Sequence, residues 1–112
     1  MYNTGLIVAI REILEEELEN SLRMERGYSE QLDRLPKGSL VKRVRNQREY
    51  YYIVYRDDSK VCLDYVGKEV SEKVREQYRE AKIKRARYRN LRSQIRQQIK
   101  FIRRALRGKQ SA

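Results

Sequence analysis

Five apolar residues recur at intervals of seven in the second half of the chain: Val74, Ala81, Tyr88, Ile95 and Ile102. Tyr78, Leu91, Ile99 and Leu106 lie beside them, which predicts one long helix over residues 69–107. A sustained seven-residue repeat requires a partner running along the helix. The beginning of the chain supplies one. Leu6, Ile10, Leu14, Leu18 and Leu22 step by four, and Ile7 and Ile13 widen the stripe, so a first helix is expected over residues 6–34. Asn3 or Thr4 can cap its first amides. Gly27 weakens it by about 1 kcal/mol, and Pro36 with Gly38 ends it.

Between the helices the period changes to two. "SLVKRV", "YYYIVYR" and "KVCLDYV" read as short strands, joined by the polar turns "NQRE" and "DDSK". Short connections make neighbouring strands antiparallel. The expected fold is therefore α+β: an antiparallel, coiled-coil-like two-helix hairpin with an inserted three-stranded antiparallel β-meander over residues 40–66, in a single domain spanning 1–112 with a tail at 108–112. If the helices meet directly after the meander, Glu12–Glu19 lie beside Lys82–Arg89. The long helix then overhangs beyond residue 97, and a homodimer through that overhang is the expected self-association.

Charge is distributed unevenly. Residues 1–34 carry 4 basic and 8 acidic side chains, residues 35–112 carry 23 and 8, and from Ala81 onward there are 12 Lys or Arg and no acid. Polyanions are the natural partners of such a surface. Cys62 is the single cysteine and histidine is absent. These facts exclude a disulfide within the chain and a zinc site built from Cys and His, and they leave no imidazole for proton transfer. No secretory signal pattern is present, and "LIVAI" is too short to span a bilayer. The expectation is a cytoplasmic protein that is not an enzyme, with no cofactor and no membrane association.

Two groups of residues stand out as candidate contacts. Lys82, Arg85, Arg89, Arg92, Arg96, Lys100, Arg103 and Arg107 follow at steps of three or four, which keeps them on one side of a helix. That row is ~37 Å long at ~1.5 Å per residue, comparable to one turn of duplex DNA, roughly 34 Å. Evenly spaced cations can each neutralise a phosphate. The second group is the tyrosine-rich strand. Tyr50, Tyr52 and Val54 point to one face, and Tyr51, Ile53 and Tyr55 to the other. One set of rings builds the sheet and the other is available as a stacking surface. Arg43 and Arg45 on the first strand alternate with Leu40 and Val44, so Tyr51 and Tyr55 are expected on the binding side with those arginines.

The stretch "LPKGSLVKR", followed by "REYYYIVYRD" and closed by Tyr65-Val66-Gly67-Lys68, resembles a family of short bacterial and phage proteins of unassigned function. In that family an L-P-x-G-S-L lead enters a tyrosine-rich meander ending in Y-x-G-K. The resemblance covers residues 35–107 and implies an association with mobile elements. Some relatives carry a cysteine-rich insertion between the first two strands; "RVRNQRE" lacks it, so no metal site is implied here. Residues and resemblance together lead to one expectation: a non-enzymatic basic module that binds DNA, RNA or a nucleoprotein through its last helix and its sheet. Two other classes fit the same residues. One is a phage inhibitor of a nucleic-acid-guided defence effector, of anti-CRISPR type; the other is a coiled-coil adaptor for an acidic protein.

Overall fold

A computed structural model describes residues 4–108. Asn3, the side chains of Thr4 and Leu6, and the tail after Gly108 lie outside the described residues. Helix α1 covers Thr4–Arg34, strands β1, β2 and β3 cover Ser39–Arg45, Arg48–Asp57 and Lys60–Gly67, and helix α2 covers Glu72–Arg107. The strands form one antiparallel sheet in the order β1-β2-β3, so the fold is α+β with the sheet between the helices in the chain. The chain separates into two compact units. One takes the chain up to Leu32 and from Arg87 onward, the other Asp33–Ala86, and α2 contributes to both. No helix is long and apolar enough to cross a membrane among the described residues.

In the helical unit α1 and α2 run antiparallel around the seven-residue repeat. Ile95, Ile99 and Ile102 are only 6%, 4% and 4% exposed. Leu14, Leu18, Leu22, Tyr28 and Leu32 of α1 are half-buried. Tyr28 and Tyr88 meet with ring centroids 6.2 Å apart. Ser21 is completely buried, and its Oγ accepts a 2.9 Å hydrogen bond from Gln98 Nε2. The exposed Gln98 thus satisfies a hydroxyl that would be costly to bury unpaired. Phe101, a large apolar residue outside the repeat, is 67% exposed.

The register differs from the one expected. Glu25 pairs with Arg96 at 2.8 Å, Ser29 Oγ accepts from Arg92, and Arg11 donates to the Leu106 carbonyl. The start of α1 therefore lies beside the end of α2, a slide of about five turns of helix from the expected alignment. Glu12–Glu19 do not face Lys82–Arg89, and among the described residues the part of α2 beyond residue 97 lies beside α1 instead of overhanging it. The cause lies in the first turns of α2, which pack within the sheet unit and become available to α1 only from Arg87. A seven-residue repeat specifies that one face is buried, and it is silent on what buries it.

The sheet unit is closed by two tight turns and one cap. Asn46 and Gln47 both have positive φ, 51° and 65°, as a two-residue type I′ hairpin requires. Asp58, φ 55°, turns β2 into β3. Ser71 caps α2: its Oγ accepts from the amide of Val74 at 3.2 Å, which fixes the helix start three residues later than Glu69. Gly38 has φ 84°, and a Cβ there would meet the Val54 carbonyl oxygen at 2.5 Å, so the turn that delivers β1 depends on glycine. Arg85 of α2 donates to the carbonyls of Pro36 and Gly38 and holds that turn to the helix.

Removal of residues 97–112 deletes Ile99 and Ile102 from the seam and should abolish cooperative unfolding of the helical unit. The single change Ile99→Ala should cost ~2–5 kcal/mol. Denaturant melts followed by circular dichroism check both; a truncated chain that keeps its helix content and midpoint would show that the seam is not the core.

Candidate nucleic-acid interface

Cross-strand partners in a sheet point to the same side, and successive residues alternate. β1 and β2 pair Val41 with Tyr52, Lys42 with Tyr51 and Arg43 with Tyr50. β2 and β3 pair Tyr52 with Tyr65, Val54 with Leu63 and Tyr55 with Cys62, after an irregularity at Tyr51/Tyr52. These registers sort the sheet into two chemically different faces.

The first face meets α2. Tyr51 is 9% exposed, and the guanidinium of Arg75 lies 5.4 Å above its ring centroid. Tyr51, Leu40 and Lys42 line a cleft of about 420 Å³ with Arg75, Tyr78, Arg79 and Lys82 of the helix. All the strand acids are on this side: Glu49, Asp57 and Asp64. Lys42 pairs with Glu49 at 3.4 Å, and Tyr55 donates to Asp64 at 3.4 Å. The negative charge of Asp64 raises the Tyr55 phenol above its ordinary value, with desolvation a smaller cause, so the hydroxyl stays a donor. Cys62 lies half-buried on the same side.

The second face carries Arg43 and Arg45 from β1, Arg48, Tyr50, Tyr52, Val54 and Arg56 from β2, and Val61, Leu63 and Tyr65 from β3. Tyr65, 57% exposed, sits against both of its neighbours, with ring centroids 5.6 Å from Tyr52 and 6.3 Å from Tyr50. No acid is on this face. None of the four arginines makes an ion pair or a side-chain hydrogen bond with another described residue.

The expected grouping of Arg43 and Arg45 with Tyr51 and Tyr55 is therefore corrected. The two arginines stand on the face of Tyr50 and Tyr52, while Tyr51 belongs to the packing and Tyr55 to the acidic side. β2 is apolar on both faces, so the strand alone does not reveal which side α2 covers. Tyr65 was not singled out from the sequence, although its position in the Y-x-G-K motif was the available signal.

On α2 the eight cations of the row divide into two sets. The edge nearer the seam is tied into the fold: Arg85 to the Pro36 turn, Arg92 to Ser29 Oγ at 3.3 Å and Arg96 to Glu25. Arg107 Nε donates to the Arg103 carbonyl at 3.3 Å. Lys82, Arg89, Lys100 and Arg103 are exposed, with no ion pair or side-chain hydrogen bond among the described residues. In the helical unit Arg89, Arg92, Arg96 and Lys100, with Ser93 and Gln97, line a shallow concavity of about 450 Å³. Arg96–Glu25 joins the two helices; the other ion pairs of the helices, Arg11–Glu15, Arg75–Glu72 and Arg79–Glu76, are each within one helix. No cluster of three or more Cys, Asp or Glu with metal-binding geometry occurs among the described residues.

Residues 7–76 match the model of a domain of unknown function, DUF6788. The chain belongs to the DUF6788 family. The DUF6788 segment takes in nearly all of α1, the whole sheet and the Ser71 cap, and it ends five residues into α2. The open face of the sheet is thus entirely inside the DUF6788 segment, and the cationic row of α2 is outside it. No curated protein and no solved structure matches the chain.

The two faces predict different mutational costs. Tyr51→Ala should destabilise by ~3–5 kcal/mol, as truncation of a buried aromatic does. Tyr65→Ala, on the exposed face, should cost no more than ~1 kcal/mol. Thermal melts of the two variants test the assignment, and equal losses would contradict it.

Proposed function

We propose that the protein is a non-enzymatic module that binds nucleic acid, holding phosphates on the outer cationic row of α2 and presenting the arginine-tyrosine face of the sheet as a second contact. The observation that carries this reading is the pairing state of the cations. Those needed by the fold have partners, while Lys82, Arg89, Lys100 and Arg103 have none among the described residues. The whole chain has 27 bases and 16 acids, so its own carboxylates leave a net charge of +11 uncompensated. A polyanion supplies the missing charge and gains the entropy of counter-ion release.

The resemblance of the "LPKGSL" lead and the tyrosine meander to phage and bacterial proteins supports a role in mobile-element biology, and the lone half-buried Cys62 suits a reducing cytosol. A protein effector that itself handles DNA or RNA would meet the same cations. A pull-down from host lysate with and without nuclease separates that partner from nucleic acid.

Affinity for duplex DNA should fall with salt along a log–log slope near −4 to −5, the value for ~5 neutralised phosphates. Arg89→Glu and Lys100→Glu should each weaken binding and flatten the slope by about 1. Arg85→Ala should lower thermal stability and leave the slope unchanged. Fluorescence anisotropy across 50–200 mM salt, a range over which such contacts are lost, measures all three; a salt-independent affinity would sink the proposal.

A further inference from the structure

We infer that the open face of the sheet is a stacking site for unpaired bases, so that the preferred ligand is a single-stranded polynucleotide rather than a duplex. This inference rests on the nucleic-acid reading above and narrows it to a class of ligand and a set of residues. Three observations in the sheet unit carry it.

The rings come first. Tyr50, Tyr52 and Tyr65 form one contiguous cluster, tilted at 58° and 54° to one another, with Tyr65 at its centre and more than half exposed. A sheet that needed Tyr65 for its core would bury it, as it buries Tyr51 on the other side. With Tyr50 and Tyr52 half-buried beside it, the exposed Tyr65 ring offers a π-face to a flat apolar ligand instead.

The second observation is charge sorting. The cluster is ringed by Arg43, Arg45, Arg48 and Arg56, while every strand acid and both strand lysines, Lys42 and Lys60, are on the other face. Guanidinium groups both stack on planar rings and match phosphate oxygens in a bidentate fork. Random placement would scatter lysine and acid over both faces. A face that combines aromatic rings, arginine and no carboxylate selects a ligand that alternates flat bases with phosphates.

The third is shape. The tyrosines lie side by side on β2 and β3, and the stretch of β2 from Arg48 to Arg56 spans ~27 Å at ~3.4 Å per residue. A duplex keeps its bases stacked inside and offers no free π-face to such a platform, whereas a single strand can splay two or three bases onto it. DNA and RNA share this chemistry, and for the same base the 2′-hydroxyl is what tells them apart.

The test uses the full chain and four probes: labelled oligo(dT), oligo(rU), a blunt duplex of the same length, and polyphosphate, which has charge and no bases. The chain has 9 tyrosines and no tryptophan, so ligand stacking is read directly as quenching of tyrosine emission. Single strands should bind at least tenfold more tightly than the duplex and quench the emission; polyphosphate should not quench. Tyr65→Ala and Tyr52→Ala should each weaken single-strand binding by about tenfold or more and leave duplex and polyphosphate affinities within twofold. Tyr65→Phe, which keeps the ring, should restore it. The relative affinity of oligo(dT) and oligo(rU), with oligo(dU) as the control for the thymine methyl, identifies the sugar. Folded alanine variants that bind single strands as the wild type does, while Lys100→Glu weakens every probe, would overturn the stacking site and leave the broader reading standing. Failure of all four probes to bind would overturn both.

Discussion

Along α2 one apolar face is buried twice, within the sheet unit over its first turns and against α1 over the rest. Val74 and Ala81 serve the first task, and Tyr88, Ile95 and Ile102 the second, at the same seven-residue interval. Neither unit has a large interior, so each depends on its share of that face. A small domain has little apolar area to spare. The division also explains the role of Arg85, which holds the turn before β1 to the part of α2 that closes the sheet unit.

The pairing of cations follows from the same arrangement. A helix with one buried face has two flanks, and the flank of α2 that carries the basic row meets fold partners only along its inner edge. Arg85, Arg92 and Arg96 reach a carbonyl, a hydroxyl and a carboxylate. One helical step further out, the side chains reach none. An exposed ion pair such as Arg96–Glu25 contributes at most about 1 kcal/mol, so that contact matters more for fixing where α1 lies than for total stability. The cost of the three contacts is that fewer cations remain for an external anion than the sequence row implies.

Much of this was legible in the residues. The two helices, the three strands and their antiparallel order follow from hydrophobic period and turn chemistry, and the end of α1 at Arg34 follows from Pro36 and Gly38. Three features were not. The register of the helices was hidden because Ala81 and Tyr88 look alike in a repeat, although one belongs to the sheet unit and the other to the helical unit. The covered face of β2 was hidden because Tyr50, Tyr52 and Val54 are as apolar as Tyr51, Ile53 and Tyr55; only the approach of Arg75 and Tyr78 decides between them. The exposed cluster around Tyr65 depends on the pairing of Tyr65 with Tyr52, past an irregularity in the ladder that no local pattern announces. Period reveals that a face is buried, and the identity of what buries it is a tertiary fact.

The arginine-only character of the open sheet face bears on acidity. A guanidinium does not lose its proton in a protein, the chain has no histidine, and no carboxylate stands among Arg43, Arg45, Arg48 and Arg56 to be neutralised in acid. The groups that titrate between about pH 5 and pH 8 in other proteins are absent from this surface. The charge carried by that face is therefore that of its arginines alone, and counter-ions are what attenuate it.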